Sequence, residues 1–201
     1  MELPGAEYQT ARYDAGRLKG AVIINVVAYG GGTNSTAMLI GMYHKNIPID
    51  LILFADPGGE QPHTYAYLPV MNNWLVRHGL PEIQTVAYQD KDGNRLTLEQ
   101  ECLRSGSLPD IAYGYKKCSL RHKVGPQEKF CNNHPPCREV WARGGKVFKY
   151  IGYDVGEQRR KEGAREHDEG DTRAILKINN NQRGETRQDN HVGRHSERQI
   201  E

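Results

Sequence analysis

Apolar and polar positions follow two rhythms along this chain. Val22-Ile23-Ile24-Asn25-Val26-Val27-Ala28-Tyr29 is a nearly unbroken apolar, β-branched run, as expected of a strand buried on both faces. Thr36-Ala37-Met38-Leu39-Ile40 then begins a helical pattern, predicted over about 33–45. Ile49-Asp50-Leu51-Ile52-Leu53-Phe54-Ala55 is a second buried-type strand. From Gln61 or His63 to His78, the residues Tyr65, Leu68, Met71, Trp74 and Leu75 recur at helical spacing. Glu82 to Tyr88 is a third strand, and Asp90-Lys91-Asp92-Gly93-Asn94 a turn. A short helix is predicted over Leu96–Leu103 with Thr97 as its cap, and another over Lys123–Asn132. Lys146 to Gly152 is a fourth strand. Strands alternating with helices predict an α/β fold: a three-layer α/β/α arrangement with a mostly parallel, Rossmann-like sheet.

The 201 residues divide by composition into three parts. Residues 1–19 read as a polar N-terminal arm, 20–156 as the folded domain, and 157–201 as a charged tail expected to be loosely ordered. Ile175-Leu176-Lys177-Ile178 is the tail's apolar island. The net charge of +2 argues neither for nor against nucleic acid. No stretch has the length of an apolar membrane span, so no membrane partner is expected. Met1-Glu2-Leu3-Pro4-Gly5 lacks the basic-then-apolar order of a secretory signal, which makes a cytoplasmic location the default expectation.

Candidate chemistry begins at the end of the first strand. Gly30-Gly31-Gly32-Thr33-Asn34-Ser35 stands between strand and helix. Glycines let a backbone turn sharply and approach a ligand, and the first helical turn offers unpaired N–H groups and a positive dipole end. Such a loop is a phosphate cradle. A side chain at Gly31 would block it, without unfolding the chain on this reading. The loop lacks the lysine of G-x-x-x-x-G-K-[ST] and the third glycine of G-x-G-x-x-G.

The loop resembles the S-G-G-x-D-S loop of the PP-loop ATP pyrophosphatases, the adenine nucleotide alpha hydrolase superfamily. Within it the chain is most similar to the phosphoadenosine phosphosulfate (PAPS) reductase family. Leu53-Phe54-Ala55-Asp56-Pro57-Gly58-Gly59-Glu60-Gln61-Pro62-His63-Thr64-Tyr65 resembles that family's F-A-D-T-G-x-E-x-P-x-T-Y. Cys118-Ser119-Leu120-Arg121-His122-Lys123-Val124-Gly125-Pro126 resembles its C-[ST]-x-x-x-K-x-x-P. Ile151 to Arg160 resembles, more weakly, its adenine-side loop. These segments stand in family order.

The resemblance implies binding of ATP or a related adenine nucleotide, with Mg²⁺. It implies adenylylation of an acceptor substrate, not named by the sequence, at the α-phosphate with release of pyrophosphate. The nucleotide would meet Gly30, Gly31, Gly32, Thr33, Asn34 and Ser35, with Ser35 donating its hydroxyl. Asp56 and Glu60 would reach a ribose hydroxyl or Mg²⁺, Cys118 would lie beside the nucleotide, and Lys123, Arg159 and Arg160 would face phosphate or sulfate. Asp56 and Lys123 are the catalytic candidates. Two positions depart from the family: Gly30 replaces its first serine and Asn34 its aspartate. Asparagine neutralises a metal less well than a carboxylate, so a non-catalytic nucleotide- or sulfonucleotide-binding module is the alternative.

The four cysteines leave reduced thiols, a metal site or buried residues open. Cys131-Asn132-Asn133-His134-Pro135-Pro136-Cys137 carries zinc-type ligands, with Cys118 as a fourth. A zinc-containing interaction protein is thus a third reading. The spacing matches no standard zinc finger, and incidental thiols are the expectation. Sulfonucleotide reductases use a cysteine in a C-terminal E-C-G-x-H motif. No cysteine follows Cys137 in this sequence, so thiol-dependent reduction is not expected.

Overall fold

The computed structural model describes residues 23–108 and 117–153. The arm, the tail, Arg159 and Arg160 lie outside the described residues. The elements run β1 (Ile23–Tyr29), α1 (Thr33–His44), β2 (Leu51–Ala55), α2 (Pro62–Arg77), β3 (Ile83–Val86), α3 (Leu98–Ser105), α4 (Lys117–Ser119), a π-helical turn (Leu120–Val124), α5 (Gly125–Asn133), α6 (Pro135–Ala142) and β4 (Lys146–Ile151). The four strands form one sheet in the order β3-β2-β1-β4, and every pairing is parallel.

Strand parity sorts the core into two layers. Val27, Tyr29, Ile52, Phe54, Ile83, Phe148 and Tyr150 point to one face, where Met38, Leu39 and Met42 of α1 and Met71 and Leu75 of α2 cover them. Ile24, Val26, Leu51 and Leu53 point to the other, covered by Cys131 of α5 and Cys137 and Val140 of α6. Both faces are covered, which is why β1 and β2 read as apolar runs without alternation. Each fully buried Met or Leu here contributes about 1.5–3 kcal/mol of transfer free energy. Asn25, the polar residue within β1, is tied down: its N–H donates to Asp50 Oδ2 at 2.7 Å and Tyr150 Oη donates to its Oδ1 at 3.0 Å.

Element types agree with the hydrophobic pattern, and the ends differ where tertiary pairing decides them. β3 pairs over Ile83–Val86 rather than 82–88, because only these residues face β2. Thr97 caps α3 as expected, within a full capping box with Gln100. The Lys123–Asn132 helix is one part of a longer helical stretch from Lys117 to Asn133 that contains the π-helical turn. Helix α6 has no counterpart in the sequence expectations. Its prolines, Pro135 and Pro136, lie at the first turn, where a missing N–H costs nothing, and Cys137 and Val140 anchor it in the core.

Candidate functional site

Strand order reverses at β1: the chain passes from β1 outward to β2 and β3, then returns to place β4 on the other side. In open parallel sheets ligands bind at such a switch, outside the carboxyl ends of the strands. Registers Tyr29↔Phe54 and Ala28↔Ile151 bring the ends of β2 and β4 level with that of β1. The glycine loop leaves β1 at this point.

Its geometry explains its composition. Gly31 has φ +70°, and a Cβ there would lie 2.5 Å from the Thr64 Cγ2 atom on α2. Gly152, just past β4, approaches the backbone of α1: a Cβ would lie 2.8 Å from Asn34 O and 3.0 Å from Ser35 N. Gly32 is the N-cap of α1 and supplies no side-chain cap. The first intrahelical bond runs from Thr36 N to Gly32 O at 3.1 Å. Gly30, Gly32 and Thr33 are exposed. Ser35 is buried, and its Oγ donates to Gly32 O at 3.0 Å, so its hydroxyl braces the helix start. Tyr29 Oη and Thr36 Oγ1 lie 3.1 Å apart and fix the same turn from β1.

The second part of the site follows β2. Asp56 Oδ1 accepts from Gly58 N and from Tyr65 Oη, each at 2.7 Å, and Oδ2 accepts from Arg95 Nη2 at 2.6 Å. Burial alone would raise this carboxyl, but the bonds from Tyr65 and Gly58 and the Arg95 guanidinium outweigh it and hold Asp56 below its usual range. Tyr65 is pushed up, by burial and by its bond to Asp56. Glu60 Oε1 accepts from Lys123 Nζ at 2.6 Å, while Glu60 N donates to Tyr65 Oη at 3.2 Å. The structure thus brings together Asp56, Glu60 and Lys123, three residues singled out from two separate sequence segments.

Sequence reasoning missed Arg95, Glu101 and the role of His122. Arg95 reaches Asp56 because the Asp90 turn delivers it. Asp90 Oδ1 accepts from Asp92 N and Asn94 N, and Gln89 bridges to Arg95. The turn was legible, but its destination was not. Glu101 of α3 holds both Arg121 and His122. Cys118 is half-buried on α4, one helical stretch before Lys123.

The zinc set does not assemble. Cys131 and Cys137 are buried in the second core layer, and the His134 ring stacks on Phe130 with centroids 5.4 Å apart. Among the described residues no group of three or more His, Cys, Asp or Glu side chains comes together to hold a metal. The spacing that suggested a site instead spans the α5–α6 turn. The Cys131 hydrogen bond and burial push the Cys137 thiol far up, so both sulfurs behave as small core groups.

A cavity of about 500 Å³ opens beside the end of β3, between Thr85–Ala87 and the α5 stripe of Pro126, Lys129, Phe130 and Asn133. It adjoins the site through one bond, from Asp56 N to Val86 O at 2.8 Å. No helix of the described residues is long and apolar enough to cross a membrane. Compared with known proteins, the chain matches no family model and no curated protein.

Proposed function

We propose that this chain binds ATP or a related adenine nucleotide in the manner of PP-loop, PAPS-reductase-like enzymes and transfers the adenylyl group. The observation that carries the reading is the placement of an exposed glycine loop and a helix N-terminus without a side-chain cap at the β1–β4 switch. In the reaction an oxygen of the acceptor attacks the α-phosphorus, and the bond to the bridging oxygen breaks with pyrophosphate leaving. The chain supplies position and charge rather than a covalent nucleophile. Backbone N–H groups from Gly31 to Asn34 cradle phosphate oxygens, and Lys123 offers the N–H groups that Glu60 leaves unused.

Mg²⁺ fits the carboxylates poorly as they stand. Asp56 is matched by Arg95 and Glu60 by Lys123, so the charge a metal would need is already taken up. A metal ion would arrive on the nucleotide's own phosphates. The same pairing, with Asn34 in place of an acid, favours the second reading of a binding module without turnover.

Calorimetry with ATP and a pyrophosphate-release assay test both readings. ATP binding with release supports the enzyme, binding without release supports the module, and no binding rejects both. Asn34→Asp should strengthen Mg²⁺-dependent binding or release. An assay with PAPS and reduced thioredoxin should give no sulfite, and release lost in Cys118→Ser would make the chain a reductase.

A further inference from the structure

Three consecutive side chains on the π-helical turn are each held by a carboxylate. Arg121 pairs with Glu101 through Oε1, His122 Nε2 lies 2.5 Å from Glu101 Oε2, and Lys123 Nζ lies 2.6 Å from Glu60 Oε1. Glu101 belongs to α3 and Glu60 to the segment after β2, so the turn is gripped from two sides. Adjacent residues on a regular helix do not share a face, and a π-helical turn redistributes them, often at functional sites.

His122 is the inner member of the three. It is 1% exposed, with the Tyr88 ring edge-on at 5.2 Å between centroids, while Arg121 and Lys123 are about half exposed. Its Nδ1 is buried and has no hydrogen-bond partner among the described residues. With Nε2 facing a carboxylate, the neutral ring carries its proton on Nε2 and leaves Nδ1 as a bare acceptor. A second proton would have to enter at Nδ1, where no acceptor waits among the described residues.

We propose that His122, locked by Glu101 in the Nε2–H tautomer, is a positioning residue that sets the π-helical turn and so the place of Lys123, and that it releases the turn when it takes up a second proton. The role given to Lys123 rests on the nucleotide reading; the latch itself does not. The charged and titratable groups that face the ring or its turn, among the described residues, are Glu101 from α3, Arg121 and Lys123 from the turn, Tyr88 from the segment after β3, and Glu60 beyond Lys123. Burial, then Arg121, holds His122 below the ordinary histidine value.

The sign follows from proton linkage. In the window from the ordinary histidine value down to the lowered one, the open chain binds more protons than the closed one. The latch is therefore fully present above that window and weakens as pH falls through it.

Two measurements on the full chain without ligand test this. Long-range proton–nitrogen NMR of the histidines should show His122 as the Nε2–H tautomer, assigned by its absence in His122→Gln, with a midpoint below the ordinary histidine value. Hydrogen exchange, corrected for intrinsic rates, should show residues 117–133 opening about tenfold more in wild type at about pH 5 than at about pH 7.5. His122→Ala should open the segment to a like degree at both pH values. His122→Gln keeps a donor for Glu101 and cannot titrate, so it should stay protected at both.

A His122 midpoint at or above the ordinary histidine value, or wild-type exchange at low pH equal to that of His122→Gln, would overturn the proposal. With ATP, affinity should fall in His122→Ala and be restored in His122→Gln. Wild type that ignores ATP at pH 7.5 rejects the nucleotide reading and leaves the exchange result to decide the latch.

Discussion

Gly152 sits so near Asn34 that a Cβ at position 152 would stand 2.8 Å from the Asn34 carbonyl oxygen. The chain leaving β4 thus closes directly on the first turn of α1, across the point where strand order reverses. Gly152→Ala should destabilise the fold by about 1–3 kcal/mol, because the obstructing atoms are helix backbone with little freedom to yield. Urea denaturation checks this. A variant as stable as wild type would mean that the two segments are not in contact.

Gly31 and Gly32 should separate folding from binding. Gly31 needs its left-handed backbone and faces the buried Thr64, so even alanine there should cost about 1–2 kcal/mol from the backbone alone. This corrects the expectation that a side chain at 31 blocks phosphate without disturbing the fold. Gly32 has ordinary φ and nothing within 4 Å of an added Cβ. Gly32→Ala should remain folded, losing at most about 1 kcal/mol as a poorer N-cap. On the nucleotide reading its methyl group would crowd the phosphate at the start of α1, and ATP affinity by calorimetry should fall about tenfold or more, equal to about 1.4 kcal/mol. Unchanged affinity would move the nucleotide away from this loop.

The Asp56–Arg95 pair should make stability depend on pH in a defined direction. The Asp56 carboxyl is held below its usual range in the fold, so its contribution is present above the ordinary carboxyl value and is lost as pH falls through it toward the lowered folded value. Asp56→Ala should cost about 1–3 kcal/mol at neutral pH, since it strips acceptors from Gly58 N, Tyr65 Oη and Arg95 together. Asp56→Asn should flatten the acid limb of the stability curve. Urea titrations at about pH 7 and about pH 3 read the difference. An acid limb identical to wild type would mean that Asp56 does not carry it.

The thiols should fall into two classes. Cys102 and Cys118 are half-buried, whereas Cys131 and Cys137 lie in the core, with Cys137 held protonated by the Cys131 hydrogen bond and by burial. An aromatic disulfide reagent should modify Cys131 and Cys137 at least about a hundredfold more slowly than Cys102 and Cys118, and at the rate of unfolding. Fast modification of Cys131 in folded protein would place it at the surface.

The amino-acid sequence by itself determined the order and type of the strands and the main helices, the turn at Asp90, the Thr97 cap and the glycine loop between β1 and α1. These depend on periodicity, turn chemistry and capping, which act over a few residues. Tertiary structure decided the rest. Arg95 meets Asp56 across 39 positions, His122 meets Glu101 across 21, and Lys123 meets Glu60 across 63. No local pattern encodes such pairs. They exist because the order β3-β2-β1-β4 sets the ends of particular strands side by side and the π-helical turn packs back against β2. The cysteines make the same point from the other side. Their spacing offered metal ligands, but helix α6 turned Cys137 inward against Cys131, and packing made them core.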